Sequence, residues 1–136
     1  MNILLASSEV VPFAKTGGLA DVCGALPVEL EQMGHSAFVF LPAYRHIHEA
    51  GVAIESTGIT FEIPIGNKVV TGGLLKSTLP GSDVPIYFVQ QDDYFDRAEL
   101  YRENGEDYRD NCERFVFFSR AVLESIRLLD LKIDLI

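Results

Sequence analysis

The sequence contains few cysteines and few basic residues, and each shortage excludes a class of site. Cys23 and Cys112 are its only cysteines. They lie far apart and form neither a C-x-x-C pair nor the Cys/His spacing typical of zinc, so we expect reduced thiols and no metal. The chain has 11 lysines and arginines against 20 acidic residues, a net charge of −9. A surface this acidic repels nucleic acid and anionic membranes, so neither is predicted as a partner.

Long hydrophobic segments are also absent. The longest apolar runs are far shorter than the ~20 residues needed to span a bilayer. The start of the chain, Met1-Asn2-Ile3-Leu4, lacks the basic and apolar regions of a signal peptide, which favours a cytoplasmic protein. The apolar content, 48% of 136 residues, is nevertheless enough for the core of one domain.

The order of the apolar segments predicts an α/β fold. Residues 2–7, which contain the apolar run Ile3 to Ala6, and residues 37–41 are typical of buried parallel strands, and a helical pattern from about Leu19 to Met33 separates them. Strand, helix and strand in this order form a right-handed βαβ unit. The segment from Gly58 to Thr78 alternates and turns at Gly66-Asn67. We interpret it as a β-hairpin insertion, followed by a return to the main sheet at residues 84–89.

Two helices carry most of the predicted helical core. The first is expected to bury one stripe and to kink or break near Ala25, because Pro27 lies inside it. The second is expected to begin at Asp110, with Glu113 completing a capping box, and to end near Leu129. The stripe of the first helix is Leu19, Val22, Cys23, Leu26, Leu30 and Met33. The stripe of the second is Phe115, Phe118, Val122, Ile126 and Leu129, widened by Phe117, Ala121 and Leu128.

The last residues begin a further strand pattern and then stop. Leu131 to Ile136 follow a helix in the order expected of another βα unit. This predicts that the chain is the opening segment of a larger polypeptide.

The loop between the first strand and the first helix carries the clearest candidate site. Lys15, Gly17 and Gly18 stand at a helix start, where backbone N–H groups are unpaired and the helix dipole is positive. Glycines allow close approach to the backbone and the lysine adds a full charge, a combination that suits a phosphate. The alternative is an exposed lysine in a flexible glycine turn, since neither G-x-G-x-x-G nor the P-loop pattern is present.

The segment Lys15-Thr16-Gly17-Gly18-Leu19-Ala20-Asp21-Val22 resembles bacterial glycogen synthase and plant starch synthase, glycosyltransferases that use ADP-glucose. The resemblance extends in order over essentially the whole chain. Val11 and Cys23 depart from the family pattern, both as tolerable packing changes. The other matching segments are Ser8-Glu9, Pro12, residues 24–27, Gly34-His35, residues 41–44, Tyr94 to Arg97 with Leu100-Tyr101, Asp110-Asn111, Arg114-Phe115, residues 118–121 and Leu123-Glu124.

This resemblance implies a fold and an activity. The fold is the incomplete N-terminal Rossmann-like domain of a two-domain (GT-B type) glycosyltransferase, in which residues 1–136 lack the C-terminal domain. The complete enzyme would transfer glucose from ADP-glucose to the non-reducing end of an α-1,4-glucan such as glycogen, with retention. No metal or organic cofactor is implied. The isolated chain is expected to be inactive, because the donor lies between two domains.

The resemblance also assigns roles to individual residues. Lys15 is expected to contact the donor phosphate, with Gly17 and Gly18 beneath it. Asp21 is expected either to position Lys15 or to touch the acceptor, or only to complement the helix dipole. Glu9 is a further candidate for the cleft. Tyr94 and Phe95 are expected either to stack on a glucan chain or to pin their loop as buried rings; no catalytic nucleophile is identifiable.

Two other interpretations of the sequence remain open. The chain is alternatively a stand-alone module that binds a glucan or a phosphate-bearing ligand without catalysis. A third possibility is a truncated and poorly folded product.

Overall fold

A five-stranded sheet runs through the structure, a computed structural model that describes residues 1–136. Its strands lie in the order β1-β2-β5-β4-β3. Adjacent β1, β2 and β5 are parallel, whereas β4 is antiparallel to both of its neighbours. The predicted α/β fold, a parallel sheet with a β-hairpin insertion, is therefore confirmed. The strands are β1 (Asn2–Ala6), β2 (Ser36–Pro42), β3 (Glu55–Ile65), β4 (Lys68–Thr78) and β5 (Pro85–Gln90).

The helices connect these strands. α1 (Gly18–Gln32) joins β1 to β2, and a 3-10 helix (Arg45–Ala50) follows β2. The chain returns to the open edge of the sheet after the last helix, where Leu4 N donates to the carbonyl oxygen of Leu135 over 2.9 Å in a parallel bridge. The remaining elements are α2 (Asp92–Phe95), the short strands β6 (Arg102–Glu103) and β7 (Glu106–Asp107), and α3 (Asn111–Leu128).

The buried face of α1 differs from the predicted stripe. Its buried residues are Ala20, Cys23 and Pro27, so of the predicted stripe only Cys23 is buried. The ideal Cβ position at Gly24 lies 3.0 Å from the carbonyl oxygen of Val11, so the helix packs close against the loop after β1. Small side chains on this face permit that approach. The larger apolar residues on the other side are exposed: Leu19, Val22, Leu26 and Met33.

Pro27 does not interrupt α1. The helix continues from Gly18 to Gln32 with the proline inside it, so the expected break near Ala25 does not occur. A proline removes one backbone donor and crowds the preceding turn, but tertiary packing around the buried ring offsets that cost here.

The second long helix follows the prediction more closely. The predicted Phe118 and Val122 are buried, and Leu128 is exposed instead of widening the stripe. The capping box is wrong: Asp110 occupies the N-cap position but its side chain makes no capping hydrogen bond, because Arg97 binds its carboxylate. The full buried set is Arg114, Phe117, Phe118, Ala121, Val122 and Ser125.

Both cysteines are free thiols, with Cys23 buried and Cys112 exposed. No group of three or more His, Cys, Asp or Glu side chains is arranged to hold a metal ion. None of the helices combines the length and apolar character needed to cross a membrane.

Candidate functional site

The loops that carry the predicted site leave the carboxyl ends of parallel strands. β1 ends at Ala6 and β2 ends at Pro42, so the segments after them start at the same edge of the sheet. The chain passes from β1 to β2 on one side of β1, and residues 131–136 return to its other side. Open α/β sheets bind ligands outside the carboxyl ends of strands, where successive connections diverge in this way. The topology therefore places the Lys15 loop at the expected ligand edge.

Glu9 organises this loop from within. Its side chain is 4% exposed. One carboxylate oxygen, Oε2, accepts hydrogen bonds from the backbone N–H groups of Thr16 (2.8 Å) and Gly17 (3.2 Å). The other, Oε1, lies 2.5 Å from Thr16 Oγ1 and 2.9 Å from the Tyr101 hydroxyl. Burial raises the pKa of the Glu9 carboxyl, but these hydrogen bonds outweigh it, so the pKa lies below its ordinary value.

The start of α1 is open to a ligand. Gly17 is the N-cap residue and has no side chain to cap the first turn, while its own N–H donates to Glu9 Oε2. The N–H groups of Gly18 and Leu19, in the first turn, have no intrahelical acceptor. No atom lies within 4 Å of the ideal Cβ positions at Gly17 and Gly18, and neither glycine has a positive φ. Neither packing nor backbone conformation requires glycine at these positions, so the space beside the start of α1 is open to the approach of another molecule.

Lys15 and Asp21 form an ion pair at the mouth of this loop. Lys15 Nζ lies 2.7 Å from Asp21 Oδ1 and 2.8 Å from Oδ2. Both side chains are more than half exposed, so the pair fixes the direction of the lysine but contributes little to folding. Of the roles expected for Asp21, this geometry favours the one in which it positions Lys15.

A cavity of about 560 Å³ opens beside Lys15. Lys15, His46 and Arg102 contribute positive or protonatable groups, and Glu99 contributes an opposing carboxylate. Hydrogen bonds with Glu49 and with the carbonyl oxygen of Ala98 raise the pKa of His46 above its ordinary value. The cavity thus concentrates the few basic groups that an acidic chain needs to bind an anion locally. Its lining is Lys15, Thr16, His46, Ala98, Glu99, Leu100, Tyr101 and Arg102.

Tyr94 and Phe95 do not form a wall of this cavity. Tyr94 is 5% exposed and Phe95 is 0% exposed, and the two rings pack against each other and against Phe117 of α3. Neither ring offers a face to a sugar in this structure. The arrangement matches the alternative interpretation, in which the two rings pin their loop to the core.

A buried arginine holds the segment 100–101, which lines the cavity. Arg114 on α3 is 0% exposed and donates from Nη1 to the carbonyl oxygen of Leu100 over 2.9 Å. Asn111 donates from Nδ2 to the carbonyl oxygen of Tyr101, also over 2.9 Å. The Tyr101 hydroxyl then lies 2.8 Å from Ser8 Oγ. Helix α3 is thereby connected through the segment 100–101 to the loop that carries Lys15.

The family model of the starch synthase catalytic domain matches residues 2–136 of this chain. The chain belongs to this family. A glycogen synthase from Syntrophotalea carbinolica is 46% identical over 136 residues, which are 100% of this chain and 28% of that protein. A glycogen synthase from Elusimicrobium minutum is 47% identical over 137 residues, again 100% of this chain and 28% of the relative.

A solved structure shares the fold of this starch synthase family member. It is the catalytic domain of starch synthase IV from Arabidopsis thaliana bound to ADP and acarbose, with a TM-score of 0.82 and 29% identity. The match covers 98% of this chain and 26% of that chain. The chain spans only about 28% of the length of the two glycogen synthases described above.

The sequence pointed to Lys15, Asp21 and the glycines as candidates, and the structure adds two organising residues of this starch synthase domain, Tyr101 and Arg114. Tyr101 contacts Ser8 and Glu9 across more than 90 positions of sequence, and no local pattern reports such a contact. Arg114 lies in a helix at a position that faces the core. Its signal was available, since Arg114 lies one helical turn before the buried Phe117 and Phe118 and so places a charge on the buried face, but the periodicity alone did not give it a partner.

Proposed function

We propose that this chain forms the N-terminal part of a glucan synthase that transfers glucose from ADP-glucose to the non-reducing end of an α-1,4-glucan, with retention. Membership of the starch synthase catalytic domain family supports the reaction class. Relatives named glycogen synthase, and a structural relative bound to ADP and acarbose, support the donor and the glucan acceptor.

The observation that carries the proposal is the open glycine loop with Lys15 above it. When the glucosyl bond breaks, negative charge grows on the β-phosphate of the departing ADP. Lys15 Nζ and the free N–H groups of Gly18 and Leu19 are the donors that would stabilise this charge. Asp21 keeps Lys15 Nζ within 2.8 Å of its carboxylate and so limits where the ammonium group lies before the donor arrives.

In this proposal the chain supplies one side of the donor site. The relatives are several times longer, and the site in the complete enzyme lies between two domains. The cavity beside Lys15 is open, and its basic groups suit the phosphates of a nucleotide. The isolated chain is therefore expected to bind ADP through its phosphates and to perform no glucosyl transfer. We also propose a cytoplasmic location, which both free cysteines support.

Titration of the chain with ADP, followed by amide NMR, tests the binding part. We expect the largest shifts at residues 15–21, and we expect Lys15→Gln to weaken binding about tenfold, as for loss of one charge-assisted hydrogen bond. Lys132→Gln serves as the control, because it removes the same charge from an exposed lysine that lies outside this loop. Shifts confined to another surface would overturn the assignment.

A transfer assay tests the catalytic part. Radiolabelled ADP-glucose is incubated with glycogen and the chain, and incorporated label is measured. Incorporation by the isolated chain would contradict the proposal that this chain supplies only one side of the donor site. The stand-alone binding alternative drew on the Lys15 loop and on the aromatic 94–101 loop, and it loses part of its support because Tyr94 and Phe95 are buried. Titration with glycogen alone separates it from the present proposal, which expects no binding without the second domain.

A further inference from the structure

The Glu9 carboxylate is charged, buried and fully occupied. It receives hydrogen bonds from four donors: Thr16 N, Gly17 N, Thr16 Oγ1 and the Tyr101 hydroxyl. An ionised carboxylate offers about four lone-pair positions. The side chain thus has no free position for a hydroxyl of a sugar or a ribose. This arrangement differs from the expectation that Glu9 faces the cleft as a ligand contact.

The backbone of Glu9 is held as firmly as its side chain. Ser7 Oγ donates to the carbonyl oxygen of Glu9 over 2.7 Å, and Glu9 N lies 3.2 Å from the same hydroxyl oxygen. Ser7 is itself buried. Because Ser7 follows β1 directly, Glu9 projects its carboxylate from a fixed point at the end of the central sheet. Because both its backbone and its side chain are fixed by hydrogen bonds, Glu9 is suited to hold other segments in place.

Glu9 is the junction of three segments. It belongs to the loop after β1, it binds the glycine loop through Thr16 and Gly17, and it meets the segment before β6 through Tyr101. Thr16 and Tyr101 both line the cavity beside Lys15. One buried side chain therefore ties together two segments that line the cavity.

We propose that Glu9 is a positioning residue, which holds the Lys15 loop and the Tyr101 segment in their binding arrangement without touching the donor. The proposal rests on the proposed function for the identity of that donor. It implies that the N–H groups of Thr16 and Gly17 are unavailable to phosphate. The anion must then use Lys15 Nζ and the N–H groups of Gly18 and Leu19.

Two substitutions separate positioning from direct contact. Glu9→Ala removes the carboxylate oxygens that accept from the N–H groups of Thr16 and Gly17, so both amides lose their protein partner. Glu9→Gln keeps an oxygen for these two N–H groups and turns its NH2 toward Thr16 Oγ1 and Tyr101, whose hydroxyl oxygens can accept as well as donate. The glutamine should therefore retain the loop. Glu55→Ala, at an exposed position of β3, is the matched control.

Hydrogen exchange of the Thr16 and Gly17 amides reports positioning without any ligand. We expect Glu9→Ala to accelerate exchange at both amides by about tenfold or more, because each loses a buried acceptor. Glu9→Gln should stay within about threefold of wild type, and Glu55→Ala should leave both rates unchanged. Exchange rates in Glu9→Ala that stay within about twofold of wild type would overturn the proposal.

Affinity for ADP supplies the second measurement. Positioning predicts that the dissociation constant rises about tenfold in Glu9→Ala and much less in Glu9→Gln, in parallel with the exchange rates. A glutamine variant that keeps its amide protection but loses as much affinity as the alanine variant indicates direct contact and overturns the proposal. If wild type fails to bind ADP, the proposed function is contradicted, whereas the exchange rates still decide the role of Glu9.

Discussion

Arg114 Nε donates to the carbonyl oxygen of Tyr94 over 2.6 Å, inside the core and far from water. The same guanidinium binds the carbonyl oxygen of Leu100 and the side-chain oxygen of Asn111. Its carbon lies 4.9 Å from the centre of the Tyr108 ring. A charge in the core is therefore stabilised by carbonyl oxygens and aromatic faces, and in return it fixes the segment between β5 and α3.

Replacing this arginine should destabilise the whole domain. Arg114→Met is expected to lower the free energy of unfolding by ~3 kcal/mol or more, because several buried acceptors lose their donor. Urea unfolding followed by circular dichroism measures the change. Arg109→Met, at an exposed position just before α3, is the control, and its free energy of unfolding should stay within ~0.5 kcal/mol of wild type. Equal effects of the two substitutions would contradict the role given to Arg114.

Two glycines should respond in opposite ways to alanine. A Cβ at Gly72 would lie 2.6 Å from Phe61 and 2.8 Å from Phe117, so Gly72→Ala forces two buried rings apart. We expect it to cost ~1–3 kcal/mol of stability. Gly18→Ala meets no protein atom within 4 Å and improves helix propensity, so it should not destabilise the fold.

The same Gly18→Ala variant tests the ligand site. Its methyl group occupies the open space over which a phosphate would lie, so affinity for ADP should fall while the unfolding midpoint does not. Titration and urea unfolding on the same sample measure both quantities. Unchanged ADP affinity would show that the ligand does not approach the start of α1.

Lys15 and Asp21 should matter little to stability. Their ion pair is exposed, and pairs of this kind typically contribute less than ~1 kcal/mol. Lys15→Gln, Asp21→Asn and the double variant are expected to unfold within ~0.5 kcal/mol of wild type. A double-variant cycle in urea gives the coupling between the two residues. Coupling well above that of an exposed pair would indicate a structural role for the lysine, at the expense of the binding role.

The Arg97–Asp110 pair should contribute to acid sensitivity. Hydrogen bonds from Arg97 hold the pKa of Asp110 below its ordinary value. Because the folded-state pKa is lowered, the pair stabilises the protein above the ordinary pKa and its contribution is lost as pH falls through the folded-state value. The stability difference between wild type and Asp110→Asn should therefore shrink below about pH 4.

Unfolding midpoints measured from neutral to acid pH check this prediction. Asp83→Asn, in an exposed turn, provides a control whose difference from wild type is expected to stay flat. A difference for Asp110→Asn that is independent of pH would argue against the lowered pKa.

The sequence by itself determined the sheet and the candidate anion loop. Apolar runs at residues 2–7, 37–41 and 84–89, with turn residues at Gly66-Asn67, specified β1, β2, β5 and the inserted hairpin, because strand patterns and turn chemistry are local. Lys15 and the glycines were a candidate anion site for the same reason, but their spacing alone left an exposed lysine in a glycine turn as the alternative, and the family resemblance assigned the phosphate role.

Only the tertiary structure decided which helix faces are buried and what holds the loop. In α1 the small residues Ala20 and Cys23 face the core while Leu19 and Val22 do not, because the loop after β1 comes too close for larger side chains. Periodicity cannot choose between two apolar faces of one helix. The contacts of Glu9 with Tyr101 and of Arg114 with Tyr94 join segments far apart in sequence. They exist only once the chain has folded, since buried charges take whichever donors and acceptors the packing leaves beside them.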